Sequence, residues 1–196
     1  GNVYAHNMDR HPLWKGHTTG IMVNNLIYNP GKRAIFMACV DHQYSDIPFD
    51  PEPAELSIVG NLLIHGPDTD DDVAMINGRQ GRAFLHQNIA RDTSGAPTKI
   101  HTDDLVVLDE PPHRPSGLET LPPQEVENRV LRNVGATPWN RSPVDRRILQ
   151  TIRQEKGKII DSQEDVGGYP EYQPARRSIN VPNSNRSTWL KQFGKR

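Results

Sequence analysis

Four stretches of this chain, "VYAHNM", "MVNNLIYNPG", "IVGNLLIHGP" and "FLHQNIA", share a pattern in which an asparagine interrupts apolar residues. The asparagines are Asn7, Asn25, Asn61 and Asn88, at separations of 18, 36 and 27 residues. A primary amide inside apolar sequence is costly unless its oxygen and nitrogen both find partners. Asparagines on successive coils of a parallel solenoid could satisfy one another by stacking. Coils of 18–27 residues account for the spacing if "AIFMACVD" supplies an extra coil. Four turn asparagines in unrelated strands account for it equally well, so spacing alone leaves both arrangements open.

The runs around these asparagines are strand-like. "GIMVNNLIYN", "RAIFMACVD", "LSIVGNLLIHG", "VAMIN" and "RAFLHQNIA" are short, β-branched or apolar, and bounded by turn residues. The character changes at "LDEPPHRPSGLETLPP", a proline-rich linker, and two helices are expected after it. "PPQEVENRVLRNVG" places Val126, Val130, Leu131 and Val134 at helical spacing and offers Gly135 as a stop. "SPVDRRILQTIRQEKG" offers Ser142 as N-cap, Pro143 at the first helical position, and a stripe of Val144, Ile148 and Ile152 ending at Gly157. From Tyr169 the chain is polar and proline-rich, and it reads as extended. The expected domains are residues 1–105, built of strands, and 106–196, an extension with two short helices and an extended tail.

Several classes are disfavoured. A net charge of −1 provides no bulk field for nucleic acid or a membrane surface. No apolar run approaches the ~20 residues of a membrane helix. A single cysteine, Cys39, excludes an internal disulfide framework and a cysteine metal cluster. It reads as a small packed side chain. The opening "GNVYAHN" has no Met and no signal peptide and enters a strand at once. It reads as the middle of a larger protein, so a missing leader says nothing of compartment.

The first chemical constellation is Arg10-His11-Pro12-Leu13-Trp14-Lys15. Pro12 forbids a helix through its middle. In an extended strand and turn, Arg10 and Lys15 can both lean toward one groove. Two cations on one face repel unless an anion lies between them, and an acidic sugar polymer would serve. Arg grips a carboxylate with two hydrogen bonds, whereas Lys acts as a point charge. A solvated basic loop is the plainer reading of the same residues.

The segment "AHNMDRHPLWKGHTTGIMVNNLIYN" resembles the part of the pectate lyase superfamily, polysaccharide lyase family one, that carries an Arg-x-Pro-x-x-Arg motif. "GNLLIHGPDT", "GRAFLHQNIARDTSG" and "VGATPWNRSPVDRRILQTIRQEKGKIIDSQEDVGGYPEY" are similar to the distal coils and C-terminal tail of bacterial members. The resemblance implies an all-β fold, a right-handed parallel β-helix, of which this chain supplies the distal coils and a C-terminal extension with short helices. It implies β-elimination on α-1,4-polygalacturonate with Arg10 as catalytic base. Lys15, where the family has a second Arg, and Trp14 are the implied substrate-binding residues, although Trp14 also reads as a packing residue. Calcium is the implied cofactor, with its ligands expected upstream of this chain, and no residue is assigned here to metal. The implied partner is acidic polysaccharide, the setting secreted or periplasmic, and the full-length form a monomer. As an isolated chain, little activity is expected.

Other clusters carry less. Asp68 to Asp72, "DTDDD", lacks the glycine and distal Glu of a calcium loop and reads as a solvated turn. Asp41 and His42 read as a strand-end turn, and His6, His11 and His17 lack zinc spacing. Two alternatives to the lyase stand: a non-catalytic protein binding acidic polysaccharide, and a glycoside hydrolase. The second needs carboxylates converging in one cleft, and Asp9 stands alone near Arg10.

Overall fold

The short apolar runs form eleven strands among the residues described by the computed structural model, which are 1–46, 48–169, 171 and 180–193. In chain order they are β1 (Val3–Ala5), β2 (Leu13–Lys15), β3 (Thr19–Val23), β4 (Leu26–Tyr28), β5 (Ile35–Ala38) and β6 (Glu55–Val59). There follow β7 (Leu62–Ile64), β8 (Ile76–Asn77), β9 (Arg82–His86), β10 (Ile89–Arg91) and β11 (Val106–Leu108). They pair in parallel into three sheets. Sheet 1 runs β1-β4-β7-β10, sheet 2 runs β2-β5-β8 and sheet 3 runs β3-β6-β9-β11. Three helices follow: α1 (Pro123–Asn133), α2 (Pro143–Arg153) and α3 (Arg186–Phe193). The chain forms two compact units, Gly1–Ile160 and Asp161–Arg196.

The asparagines mark the corners between sheets 3 and 1. Asn25, Asn61 and Asn88 each follow a residue of positive φ, namely Asn24 at 53°, Gly60 at 63° and Gln87 at 52°. The corner turns the chain inward, and the next amide sits beneath the last. Asn61 Oδ1 accepts from the backbone N–H of Asn25 at 3.1 Å and its Nδ2 at 2.8 Å. Asn88 Oδ1 accepts from the same two groups of Asn61, each at 3.0 Å. Asn2, not Asn7, heads this ladder, donating its N–H and Nδ2 to Asn25 Oδ1 at 3.0 and 2.9 Å. Asn7 instead accepts through its carbonyl from Gly31 N–H and the His11 ring. "AIFMACVD" supplies no extra coil: "IFMA" is β5, in sheet 2, and the long interval from Asn25 to Asn61 comes from the loop of residues 39–54.

The all-β right-handed parallel β-helix expected from the resemblance is corrected. The described chain is mixed α/β, three parallel sheets of four, three and four strands with three α-helices. The physical reason lies in the strands of sheet 1. "LIY" and "LLI" are apolar at every position and buried at every position, so both faces need cover. Ile27 and Leu63 turn into the core between the sheets, while Leu26, Tyr28, Leu62 and Ile64 pack against Val126, Val130 and Leu131 of α1 and Leu149 and Ile152 of α2. The helices are therefore half of a second core.

Helix α2 begins as its sequence predicts, with Ser142 as N-cap and Pro143 at the first helical position, and Asp145 at the third closes a reciprocal capping box with Ser142. Val144 is exposed, so the buried stripe is Leu149 and Ile152. The tail read as extended falls partly outside the described residues, and within them Arg186–Phe193 is helical.

A directional hydrogen-bond chain ties sheet 1 to the end of α2. Asn29 Oδ1 accepts from Asp68 N–H at 2.8 Å, which fixes its amide, and its Nδ2 donates to Asp68 Oδ2 and His6 Nδ1. His6 Nε2 is then the protonated nitrogen and donates to Thr151 Oγ1 at 2.8 Å, which donates to the Ile148 carbonyl. Asp68 Oδ2 also receives Ile159 N–H at 2.7 Å. Burial holds His6 below the usual imidazole range, opposed by Asp68 and assisted by Arg147 and His11. Burial lowers His11 likewise, against a hydrogen bond to the Asn7 carbonyl and the charge of Asp9.

Two outcomes are expected. Asn61→Ala leaves two donors of Asn25 without an acceptor and should cost about 3 kcal/mol in denaturant unfolding, more than Asn2→Ala at the exposed end of the ladder. The depressed His6 and His11 pKa values mean the unfolded chain binds more protons once pH falls below 6.5. Stability should drop as pH falls from there toward the folded values, and His6→Gln should flatten that drop, measured as unfolding midpoint against pH.

Candidate functional site

Sheet 2 has an inner and an outer face, and alternation along its strands assigns each side chain. Trp14, Ile35, Met37 and Ile76 belong to the core between the sheets. The register Leu13↔Phe36↔Asn77 and Lys15↔Ala38 places the intervening residues on the outer face. Trp14 lies inward because Gly20 makes room for its ring: a Cβ on Gly20 would come within 2.6 Å of the indole. Its Nε1 is buried and without a hydrogen-bond partner. A ring packed this way is a core residue, and its indole is turned away from the outer face where Lys15 lies.

Arg10 stands before β2 in a left-handed conformation, φ 67°, with its N–H held by the Arg33 carbonyl at 3.1 Å. A non-glycine residue there carries backbone strain of about 1–2 kcal/mol. Its side chain is 56% exposed, and Nε lies 3.6 Å from Asp9 Oδ2. Asp9 is held mainly by Arg33, which donates from Nε to Oδ1 at 2.7 Å and from Nη2 to Oδ2. The Arg33 guanidinium also lies 4.2 Å from the centre of the Phe36 ring, covering it. The hydrogen bond from Arg33 keeps the Asp9 carboxyl below its ordinary range. Asp9, the only carboxylate beside Arg10 among the described residues, is thus an anion of the protein's own between Arg10 and Arg33.

Lys15 sits at the other end of β2, and its Nζ donates to Gln43 Oε1. Arg10 lies three residues before β2 and Lys15 is its last residue, so strand alternation places Lys15, beside Leu13, on the outer face, while Arg10 belongs to the turn that precedes the strand. Gln43 belongs to the short 3₁₀ turn Asp41–Gln43, whose Asp41 and His42 enter an open groove of about 590 Å³. Cys39, Arg79, Gln80 and Asp104 complete its lining. Burial and the charge of Asp41 push the Cys39 thiol up, away from nucleophilic use. Arg79 and Gln80 are both left-handed, at φ 35° and 68°, in a turn closed by Gly81 N–H to the Gly78 carbonyl. Arginine and glutamine are unusual in such a turn, which normally takes Asn and Gly.

Sequence reasoning missed Arg33 and Arg79. Neither stands in a motif with Arg10, and only strand register makes Arg33 its neighbour. The remaining candidates are structural. Asp68 accepts two hydrogen bonds within the fold, His17 Nε2 accepts Glu52 N–H at 3.3 Å, and His6 and His11 are held as described. Among the described residues no group of three His, Cys, Asp or Glu side chains is placed to hold a metal ion, so the residues present do not fit the implied calcium. No helix among them is long and apolar enough to cross a membrane. No family model, no curated protein and no solved structure matches this chain.

The Asp9–Arg33 fork is expected to carry measurable stability. Asp9→Asn should cost about 1–3 kcal/mol, the range for hydrogen bonds to charged groups. Because the folded Asp9 pKa is depressed, the wild-type advantage is present above the ordinary carboxyl value of 3.8 and is lost as pH falls through the folded value. Acid titration of the two proteins by circular dichroism should show the curves converging at low pH.

Proposed function

We propose that this chain acts on acidic polysaccharide, as a pectate lyase-like protein cleaving α-1,4-polygalacturonate by β-elimination, in a secreted or periplasmic setting. The observation that carries the reading is the exposed Arg10, three residues before β2, followed on that strand by the outward-facing Lys15. The resemblance of the "AHNMDRHPLWK" segment adds the chemistry. Sheet 1 lies beneath α1 and α2, and sheet 3 beneath the linker pinned at Ser57 and Asn24. Sheet 2 carries the half-exposed Leu13, Lys15 and Asn77.

In the reaction a base takes the proton from C5 of a uronate. The electron pair forms the C4–C5 double bond, the C4–O bond breaks, and the departing oxygen takes a proton from solvent. Carbanion character develops beside the uronate carboxylate, so cations near that carboxylate lower the barrier. Arg10 is the proposed base, accepting the C5 proton as a neutral guanidine and becoming guanidinium, and Lys15 is a proposed charge partner for a neighbouring uronate, as a point charge without a guanidinium's fork. Calcium, which the resemblance implies, finds no ligand set among the described residues, and no step is assigned to it.

One observation favours a second reading, non-catalytic binding of the same polymer. The ion pair from Asp9 to Arg10 suits a charged contact better than a base. Such an exposed pair is worth about 0–1 kcal/mol and yields readily to a uronate.

The deciding experiment incubates the chain at high concentration and over long times with polygalacturonate, with and without added calcium at alkaline pH, so that even the little activity expected of it is read, and follows ultraviolet absorbance of the unsaturated uronate beside Arg10→Ala. Chromophore lost in the variant supports the lyase. Binding without chromophore, weakened in Arg10→Ala and Lys15→Ala, supports the second reading. Neither chromophore nor binding overturns both.

A further inference from the structure

The proline-rich segment of residues 109–121 crosses the outer face of sheet 3 and is pinned at two points. Ser57 Oγ, in the middle of β6, donates to the His113 carbonyl at 2.6 Å. Nearer the helices, Leu121 N–H donates to Asn24 Oδ1 at 3.0 Å, and Asn24 Nδ2 donates to the Glu119 carbonyl at 3.1 Å. Between the pins the chain turns through Gly117 at φ 75°, with Leu118 N–H bonded back to the Pro115 carbonyl. The segment is a strap with fixed ends and a raised middle.

Beneath it lies a cavity of about 170 Å³. Strand register arranges its floor in two rows, Ile21↔Ser57↔Phe84 and Val23↔Val59↔His86. The floor is apolar apart from Ser57, whose hydroxyl is committed to the strap, and His86, whose ring stacks on Phe84 with centroids 6.3 Å apart. A cavity of roughly 150 Å³ holds benzene, so the space admits one six-membered ring. Exposed His86, His113 and Arg114 contribute to its lining, and no carboxylate does. An apolar pocket with one fixed cation and two imidazoles at its mouth selects a ring that carries an anion.

We infer that this cavity is a binding site for a monocyclic aromatic carboxylate, the ring lying on Phe84 and the Val23–Val59 floor beneath the strap and the carboxylate meeting Arg114. The site is on sheet 3 and is independent of the polysaccharide reading of sheet 2.

The test titrates benzoate, and separately benzyl alcohol, into the isotopically labelled chain and follows the methyl resonances of Ile21, Val23 and Val59. Benzoate is expected to shift these methyls saturably, with benzyl alcohol weaker. Arg114→Gln, an exposed change that leaves the floor intact, should weaken benzoate about 2- to 5-fold, as for a partly exposed charge pair, without changing benzyl alcohol. Val23→Trp should fill the space and abolish both. The inference is overturned if benzoate leaves the methyls unmoved, if the alcohol binds as well as the acid, or if Arg114→Gln binds benzoate as the parent does.

Discussion

The hydrogen bonds running from Asn25 through Asn61 to Asn88 are the constraint on which the rest of the structure depends. At the Asn25 and Asn61 corners between sheets 3 and 1 the N–H of the corner asparagine meets the side-chain oxygen of the next corner's asparagine and not a backbone carbonyl of the neighbouring strand. Inside an apolar interior such a group needs an acceptor. The asparagine of the neighbouring corner supplies it and also accepts a side-chain donor, so one amide satisfies two groups. Strands of three residues have little stability as isolated pairs. Repeating the corner brings β1, β4, β7 and β10 into a common register and gives each short strand neighbours.

Stacked corners create sheets that are apolar on more than one face, and what covers each face determines what it can do. Over sheet 1 the cover is α1 and α2, held by Val126, Val130, Leu149 and Ile152 and by the chain from Asn29 through His6 to Thr151. Over sheet 3 it is a proline-rich strap, whose few backbone donors keep it from extending the sheet and leave space beneath. On sheet 2 Arg33 covers Phe36 while gripping Asp9, so even there an apolar ring is capped by a paired charge.

Much was legible in the residues. The strand runs, the capping of α2 by Ser142 and the helical spacing of α1 depend on local chemistry and stand in the structure as read, whereas the asparagine repeat stands in part: Asn25, Asn61 and Asn88 stack, Asn2 takes the place of Asn7, and "AIFMACVD" adds no coil. That exchange is informative: Asn7 has apolar neighbours like the others, but its carbonyl serves the turn containing His11, and Asn2 has too little sequence before it to show a pattern. The all-β reading failed where amphipathic helices were treated as an appendage, although the unbroken apolar runs "LIY" and "LLI" already called for cover on both faces. At the candidate site Arg10 and Lys15 were visible, and the structure puts Arg10 in the turn before β2 and Lys15 at the end of that strand. Arg33 was not, because its relation to Asp9 and Arg10 arises from register between residues 24 apart.

By itself, the sequence determined the elements and their punctuation: short strands interrupted by asparagines, a proline-rich break, and two helices, the second capped by Ser142. These follow from backbone sterics, side-chain period and local hydrogen bonding, which act over a few residues. Tertiary structure alone decided which face each side chain occupies. It turned Trp14 inward over Gly20, gave Asp9 to Arg33, placed the strap over Phe84 and tied His6 to Thr151 across 145 residues of chain. Such pairings depend on parallel register between distant strands, and a shift of one residue would send every side chain to the opposite face.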